Sequence, residues 1–334
     1  MDSFWHGSIF RRLSVLTLMA LVLSAPAMLA GEHTSSSAAN QAAAVDISVG
    51  ADNKSRTVFS DPDHLTVFRS YDYSGVSTSV GPEGPYSGWI VRALADGEDG
   101  LTRVLWNHVD GSSALWMLGP RVNEASYLYG PEAGWTVVDV SVESAGTTQL
   151  LSTNVDGRTK LTSVALSGAV LAEATYGPFA GWTARSISNG ADGLTRLLWT
   201  NMDGRAGMSL VEASRIVATF RFAPGSGWSA RDIAVASDNR ARILFSDTIG
   251  RMSLWTVDSS GVVTDSTNIY SQNQSAMTAT RVAAGADGVT RVLWTGSVGG
   301  VLWLMNSDNS VRDRNSFLFC GDFGKTLGCG YWDY

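Results

Sequence analysis

The chain has 334 residues, room for one large domain or two small ones. Its 24 Lys and Arg stand against 31 Asp and Glu, a net charge of −7, which excludes a nucleic-acid partner because neutralising phosphates needs a basic face. The 35 Gly and 12 Trp point to a turn-rich, all-β chain whose indoles either fill a core or stack against flat ligands.

At the N-terminus, Arg11 and Arg12 precede an apolar run from Leu13 to Leu23, and Ala25-Pro26-Ala27 or Met28-Leu29-Ala30 then offers small residues for cleavage. This pattern reads as a signal peptide over residues 1–30 and predicts a secreted or periplasmic protein. The run is too short for a comfortable membrane span and no later stretch matches it, so no transmembrane anchor is expected. Residues 31–44, small, polar and unpatterned, read as a flexible lead-in.

From residue 45 to 319 the sequence repeats. Aligned on the pattern of "LTRLLW", the Arg position falls at Arg56, Arg103, Gln149, Arg196, Arg242 and Arg291, with gaps of 47, 46, 47, 46 and 49. The aromatic three residues on falls at Phe59, Trp106, Ser152, Trp199, Phe245 and Trp294. A preceding "GW" supplies Trp89, Trp135, Trp182 and Trp228, with Ala42 and Met277 as the end counterparts. Each tile predicts four short strands; in the fourth they are "GWTARSIS", "LTRLLWTN", "AGMSLVE" and "RIVATFRF". Asp-Gly or Asp-Asn pairs such as Asp192-Gly193 and Asp203-Gly204 mark the hairpins, because these residues tolerate the positive φ of tight turns. Four antiparallel strands per ~47 residues, six times over, predict a six-bladed β-propeller. The strand-two aromatics are then expected between blades, each blade being covered on both faces.

After the tiles, residues 320–334 form a tail with both cysteines. Cys320 and Cys329 are expected to pair as a local disulfide in an oxidising compartment. Two Cys without nearby His do not make a zinc site, no turn has the oxygen-ligand spacing of a calcium loop, and no cofactor is implied.

The links between tiles read "EGPYSGW", "YGPEAGW", "YGPFAGW" and "FAPGSGW". Turn residues alone would serve, yet each link carries aromatics. Two readings stand. The rings of Trp89, Tyr129, Trp135, Tyr176, Trp182, Phe222 and Trp228 either line rim clefts and stack on sugars, with Arg and Asp taking the hydroxyls, or they staple one blade to the next. Period, "GWxAR" opening and interblade Gly-Pro together resemble the lectin-type propellers of the tachylectin-2 and tectonin kind. That resemblance implies a repeated carbohydrate-binding protein whose partners are glycans or cell-surface components, without assigning single ligand residues. His108 sits where other tiles have Asn154 and Asn201, a turn variant and not a placed base. No residue breaks the repeat as a catalytic triad would, and "ADGLTRLLW" lacks the Asp-box spacing of sialidase propellers. The alternatives are a propeller hydrolase or lyase with carboxylates from different blades meeting in the channel, and a protein-protein scaffold.

Overall fold

The computed structural model describes residues 43–314 except 62, 73–76, 120–122, 270–276 and 297–299. The expected signal peptide and the Cys320–Cys329 pair lie outside the described residues, as does the lead-in up to residue 42. The first strand begins at Ala43, two residues inside the expected lead-in.

Among the described residues the chain forms six four-stranded antiparallel sheets, each built from consecutive strands, arranged in a ring. Blade one holds β1 Ala43–Val49, β2 Ser55–Ser60, β3 Thr66–Tyr71 and β4 Ser77–Glu83. Blade two holds β5 Trp89–Asp96, β6 Thr102–His108, β7 Ser113–Leu118 and β8 Asn123–Tyr129. Blade three holds β9 Trp135–Val142, β10 Thr148–Asn154, β11 Thr159–Val164 and β12 Val170–Tyr176. Blade four holds β13 Trp182–Asn189, β14 Thr195–Asn201, β15 Ala206–Glu212 and β16 Arg215–Phe222. Blade five holds β17 Trp228–Val235, β18 Ala241–Asp247, β19 Met252–Val257 and β20 Val263–Ile269. Blade six holds β21 Met277–Ala284, β22 Thr290–Gly296, β23 Gly300–Met305 and β24 Val311–Asp313. The fold is the six-bladed propeller that the repeat predicts.

Alternation along the strands explains the core. Successive side chains of a strand point to opposite faces, and in a ring both faces meet a neighbour. In β14, Leu197 and Trp199 pack on blade three while Leu198 packs on blade five. In β22, Val292 and Trp294 face blade five while Leu293 faces blade one. Six buried apolar clusters result, one at each blade junction. Phe59, Trp106, Trp199, Phe245 and Trp294 are all buried there, so truncating any one to Ala removes ~3–5 kcal/mol. In blade three Ser152 stands at this position and pairs across the ladder with Lys160, where blade four pairs Trp199 with Gly207.

The tight turns follow from their residues. Between strands one and two, Gly193 has φ +76 and its counterpart Asn239 has φ 58, the left-handed region that Gly and Asn enter most cheaply. The ring closes side to side. Blade six is complete with residues 277–313 and blade one with 43–83, and Arg291 joins them by donating to the Asn53 carbonyl at 3.1 Å and to Ser55 Oγ at 3.3 Å.

Candidate functional site

Each innermost strand starts on the rim where the interblade links and the strand two–three turns emerge, because the strands alternate in direction. The strand one–two turns lie on the opposite rim. Arg–Asp pairs occupy both rims, in different surroundings.

On the rim of the strand one–two turns the motif Asp-Gly-x-x-Arg is a staple. Asp192 accepts the Leu194 N–H at 3.1 Å, fixing the turn, and Arg196 clasps Asp192 with both terminal nitrogens. Arg196 also donates to the Leu194 carbonyl at 2.8 Å and, across the junction, to the Asn239 carbonyl at 2.8 Å. Arg103 likewise clasps Asp99 and reaches the Gly146 carbonyl, and Arg291 clasps Asp287 and reaches Asn53. The guanidiniums are essentially buried. Gly190 and Gly97 leave them room, since a Cβ there would stand 2.3 or 2.4 Å from the Arg Nη1. Burial is the largest single influence and acts to raise Asp192 and Asp99, but the hydrogen bonds from Arg196 and Arg103, the N–H groups of Leu194 and Leu101 and the guanidinium charge together outweigh it and hold both carboxyls below their ordinary value. Blade three solves the same packing differently: Gln149 donates to Glu143 at 2.7 Å and to Ser163 at 2.9 Å.

On the linker rim the four "GW" indoles are half-buried and each carries a basic partner. Arg158 lies 5.6 Å from the Trp135 ring centroid, Arg205 5.8 Å from Trp182 and Arg251 5.4 Å from Trp228. The His108 ring lies 4.8 Å from Trp89. Each of these side chains also meets a turn carboxylate: Arg158 with Asp156 at 2.7 Å, Arg205 with Asp203 at 2.6 Å, His108 with Asp110 at 2.8 Å, and Arg251 with Asp247. Arg158 and Arg205 are 44% and 50% exposed, in contrast to the buried arginines of the other rim. The backbone N–H groups that follow each turn, then the arginines, hold Asp156 and, in the reverse order, Asp203 below the ordinary carboxylate value. Asp110 is lowered to about 2, by the Ser112 N–H first and His108 second. In blades three to five the cluster is therefore an indole, a guanidinium within 6 Å of its ring centre and an ionised carboxylate beside it. These are the three groups that recognise a pyranose: an apolar face, paired N–H donors and a hydroxyl acceptor. Lys160 adds a second cation 5.0 Å from Trp135, and Arg221 a second at 5.9 Å from Trp182.

The other rings expected on this rim are used elsewhere. Tyr129 donates its hydroxyl to the Gly168 carbonyl at 3.1 Å and Tyr176 to the Ser214 carbonyl at 3.1 Å, each in the outer turn of the next blade. Burial raises both phenols to about 12, with Tyr127 adding at Tyr129. They are staples between blades. Phe222, expected as a rim ring, is 7% exposed and packs edge-on against Trp255, because without a hydroxyl it turns inward at the end of β16. The residues that sequence reasoning missed are Arg158, Arg205 and Arg251. A signal was present, since each follows its "GW" Trp by 23 residues.

The innermost strands carry a third group. Each has a bulge near its start, at Val45, Arg92, Val138, Arg185, Arg231 and Thr280. The residue after the bulge is Asp46, Asp139 or Asp232 in blades one, three and five. Asp46 accepts the Leu94 N–H at 2.6 Å, Asp139 the Ile187 N–H at 2.8 Å and Asp232 the Val282 N–H at 2.8 Å, each on the following blade. Burial raises Asp46 to about 7, against Arg281 and with help from Asp232 and Asp139, and raises Asp139 to about 6, with Asp232 adding. The junctions thus alternate around the ring. Asp latches close one to two, three to four and five to six, while the Arg103, Arg196 and Arg291 staples close two to three, four to five and six to one.

The fold and site define a six-bladed β-propeller with a repeated polar-aromatic rim. No protein-family model matches the chain, and no curated protein matches it by sequence. Solved structures do match the fold. The SapL1 lectin in complex with alpha methyl fucoside is 14% identical over 83% of this chain and 96% of its own, with a TM-score of 0.58. AofleA from Arthrobotrys oligospora is 11% identical over 84% and 88%, with a TM-score of 0.56. The β-propeller domain of Cps50 (Swd1) from Myceliophteria thermophila is 11% identical over 81% and 85%, with a TM-score of 0.50. Among the described residues no helix is long and apolar enough to cross a membrane.

Proposed function

We propose that this protein is an exported carbohydrate-binding propeller of the tachylectin-2 and tectonin kind, which engages glycans multivalently through the linker-rim clusters of blades two to five. The observation that carries the reading is the recurrence of Trp, basic side chain and carboxylate at one rim, with an arginine at Trp135, Trp182 and Trp228 and His108 at Trp89. Function concentrated in one or two blades would break the repeat; here the cluster is spread over four. The lectin among the fold neighbours supports the class, and the export signal supports a secreted or periplasmic setting. A hydrolase would need reachable carboxylates in the channel, and Asp46, Asp139 and Asp232 are instead engaged in latching blades. A glycan array probed with the protein lacking residues 1–30 tests the reading. Binding to a defined set of glycans, lost on simultaneous Arg158→Ala, Arg205→Ala and Arg251→Ala substitution, is the expected outcome; no binding to any glycan at high protein density overturns it in favour of a protein-protein scaffold.

A further inference from the structure

Three of the six bulge positions on the innermost strands are arginines: Arg92 on β5, Arg185 on β13 and Arg231 on β17. Each lies three residues after its "GW" Trp, so all three stand at the same level of the innermost strands, ~10 Å in from the linker rim at the rise of a strand. Arg281 joins them from β21. Arg281 is neutralised by Asp46 at 3.0 Å, and Arg231 donates to Ser246 at 2.6 Å. Arg92 and Arg185 are exposed and, among the described residues, make neither a hydrogen bond nor an ion pair. The carboxylates behind them compensate only in part, because Asp139 and Asp232 bond to backbone N–H groups and Ser186.

We propose that this channel mouth is a binding site for a multivalent oxyanion: sulfate, phosphate, or the clustered sulfate or carboxylate groups of a charged glycan. Guanidiniums recognise such groups in pairs through parallel N–H donors. Unbound, they repel one another: at Arg185, after the partial loss of water around its guanidinium, the charges of Arg281, Arg231 and Arg92 act to lower its pKa, with Asp232 opposing. A ligand with two negative charges removes that repulsion. The groups facing the mouth are Arg92, Arg185, Arg231 and Arg281, with Asp46, Asp139 and Asp232 behind. Asp46 and Asp139 take up protons near pH 7 and 6, so an anion of constant charge binds more tightly at pH 5.5 than at pH 8.

The test uses the protein lacking residues 1–30 and sodium sulfate as the probe, against sodium chloride at equal ionic strength, read by calorimetry and thermal melting. The expected result is saturable sulfate binding with a raised Tm, tighter at pH 5.5. Arg92→Gln with Arg185→Gln should weaken it at least tenfold and, without sulfate, melt no lower than the unsubstituted protein. Arg185→Gln alone gives the same comparison if the double variant does not fold. Trp182→Ala should leave sulfate affinity unchanged, which separates this site from the rim clusters. Sulfated or uronic-acid oligosaccharides binding more tightly than sulfate, with both lost in the double variant, identify a glycan-borne anion; sulfate binding alone identifies a free one. No sulfate response beyond that of chloride, or equal affinity in the double variant, overturns the proposal.

Discussion

The two rims use the same pair of residues for different ends. On one rim Arg196 and Asp192 are sequestered, and the guanidinium has its remaining donors on carbonyls of its own turn and of the next blade. On the other, Arg205 and Asp203 are about half exposed, and the guanidinium lies 5.8 Å from the centre of the Trp182 ring. Residue type does not separate these cases; burial does. A buried charge without its partners is expensive, so the first pair is bound to the fold. An exposed ion pair contributes little to stability, so the second is available to a ligand.

The largest break in the comparison should come from Arg196→Ala. It strands Asp192 and two carbonyls at a blade junction, with a loss of ~3–5 kcal/mol by denaturant titration and no loss of per-site glycan affinity in the protein that remains folded. Trp182→Ala and Arg205→Ala should do the reverse. Stability changes by under ~1 kcal/mol for Arg205→Ala, while glycan affinity at that site falls by ~1–3 kcal/mol in either variant. If Arg196→Ala removed binding and left the melting curve in place, the roles assigned to the two rims would be exchanged.

The channel aspartates sharpen the contrast through pH. Asp46 titrates near 7 in the folded chain against an ordinary 3.8, so between these values the native state holds a proton that the unfolded chain has released. Its contribution is therefore fully present at low pH and is lost as pH rises through 7, by at most ~1.4 kcal/mol per pH unit. The melting temperature should fall from pH 5 to pH 8, and Asp46→Asn should flatten that slope; a rise over the same interval would contradict the assignment. A smaller effect should follow from Gly190→Ala, whose Cβ would meet both Arg196 and Asp192. Blade five carries Ala236 there and has longer Arg242–Asp238 contacts of 3.0 and 3.5 Å, so a cost of ~1 kcal/mol is expected by chemical denaturation. Smallest of all, removing residues 320–334 should leave a folded propeller with a slightly lower Tm, because blade six already has four strands without them; loss of folding would show that the tail closes the ring.

The sequence by itself determined the period, the four strands per tile, the turns and the burial of the strand-two aromatics. These are local properties: alternation sets which face a side chain takes, and Asp-Gly or Asp-Asn sets where the chain reverses. It also exposed blade three as the irregular tile, though not that Glu143 and Gln149 replace the Asp–Arg staple. Only the tertiary structure decided which rings reach the rim. Tyr129, Tyr176 and Trp182 share one linker pattern, yet the two phenols find carbonyls on the next blade while the indole meets the cation of its own strand two–three turn. The channel latches were equally out of sight, since Asp46, Asp139 and Asp232 lie about two tiles apart in the chain and come together only when six blades close on one axis. Local pattern fixes the blade; contacts between residues far apart in the chain, which sequence spacing does not encode, fix what each rim can bind.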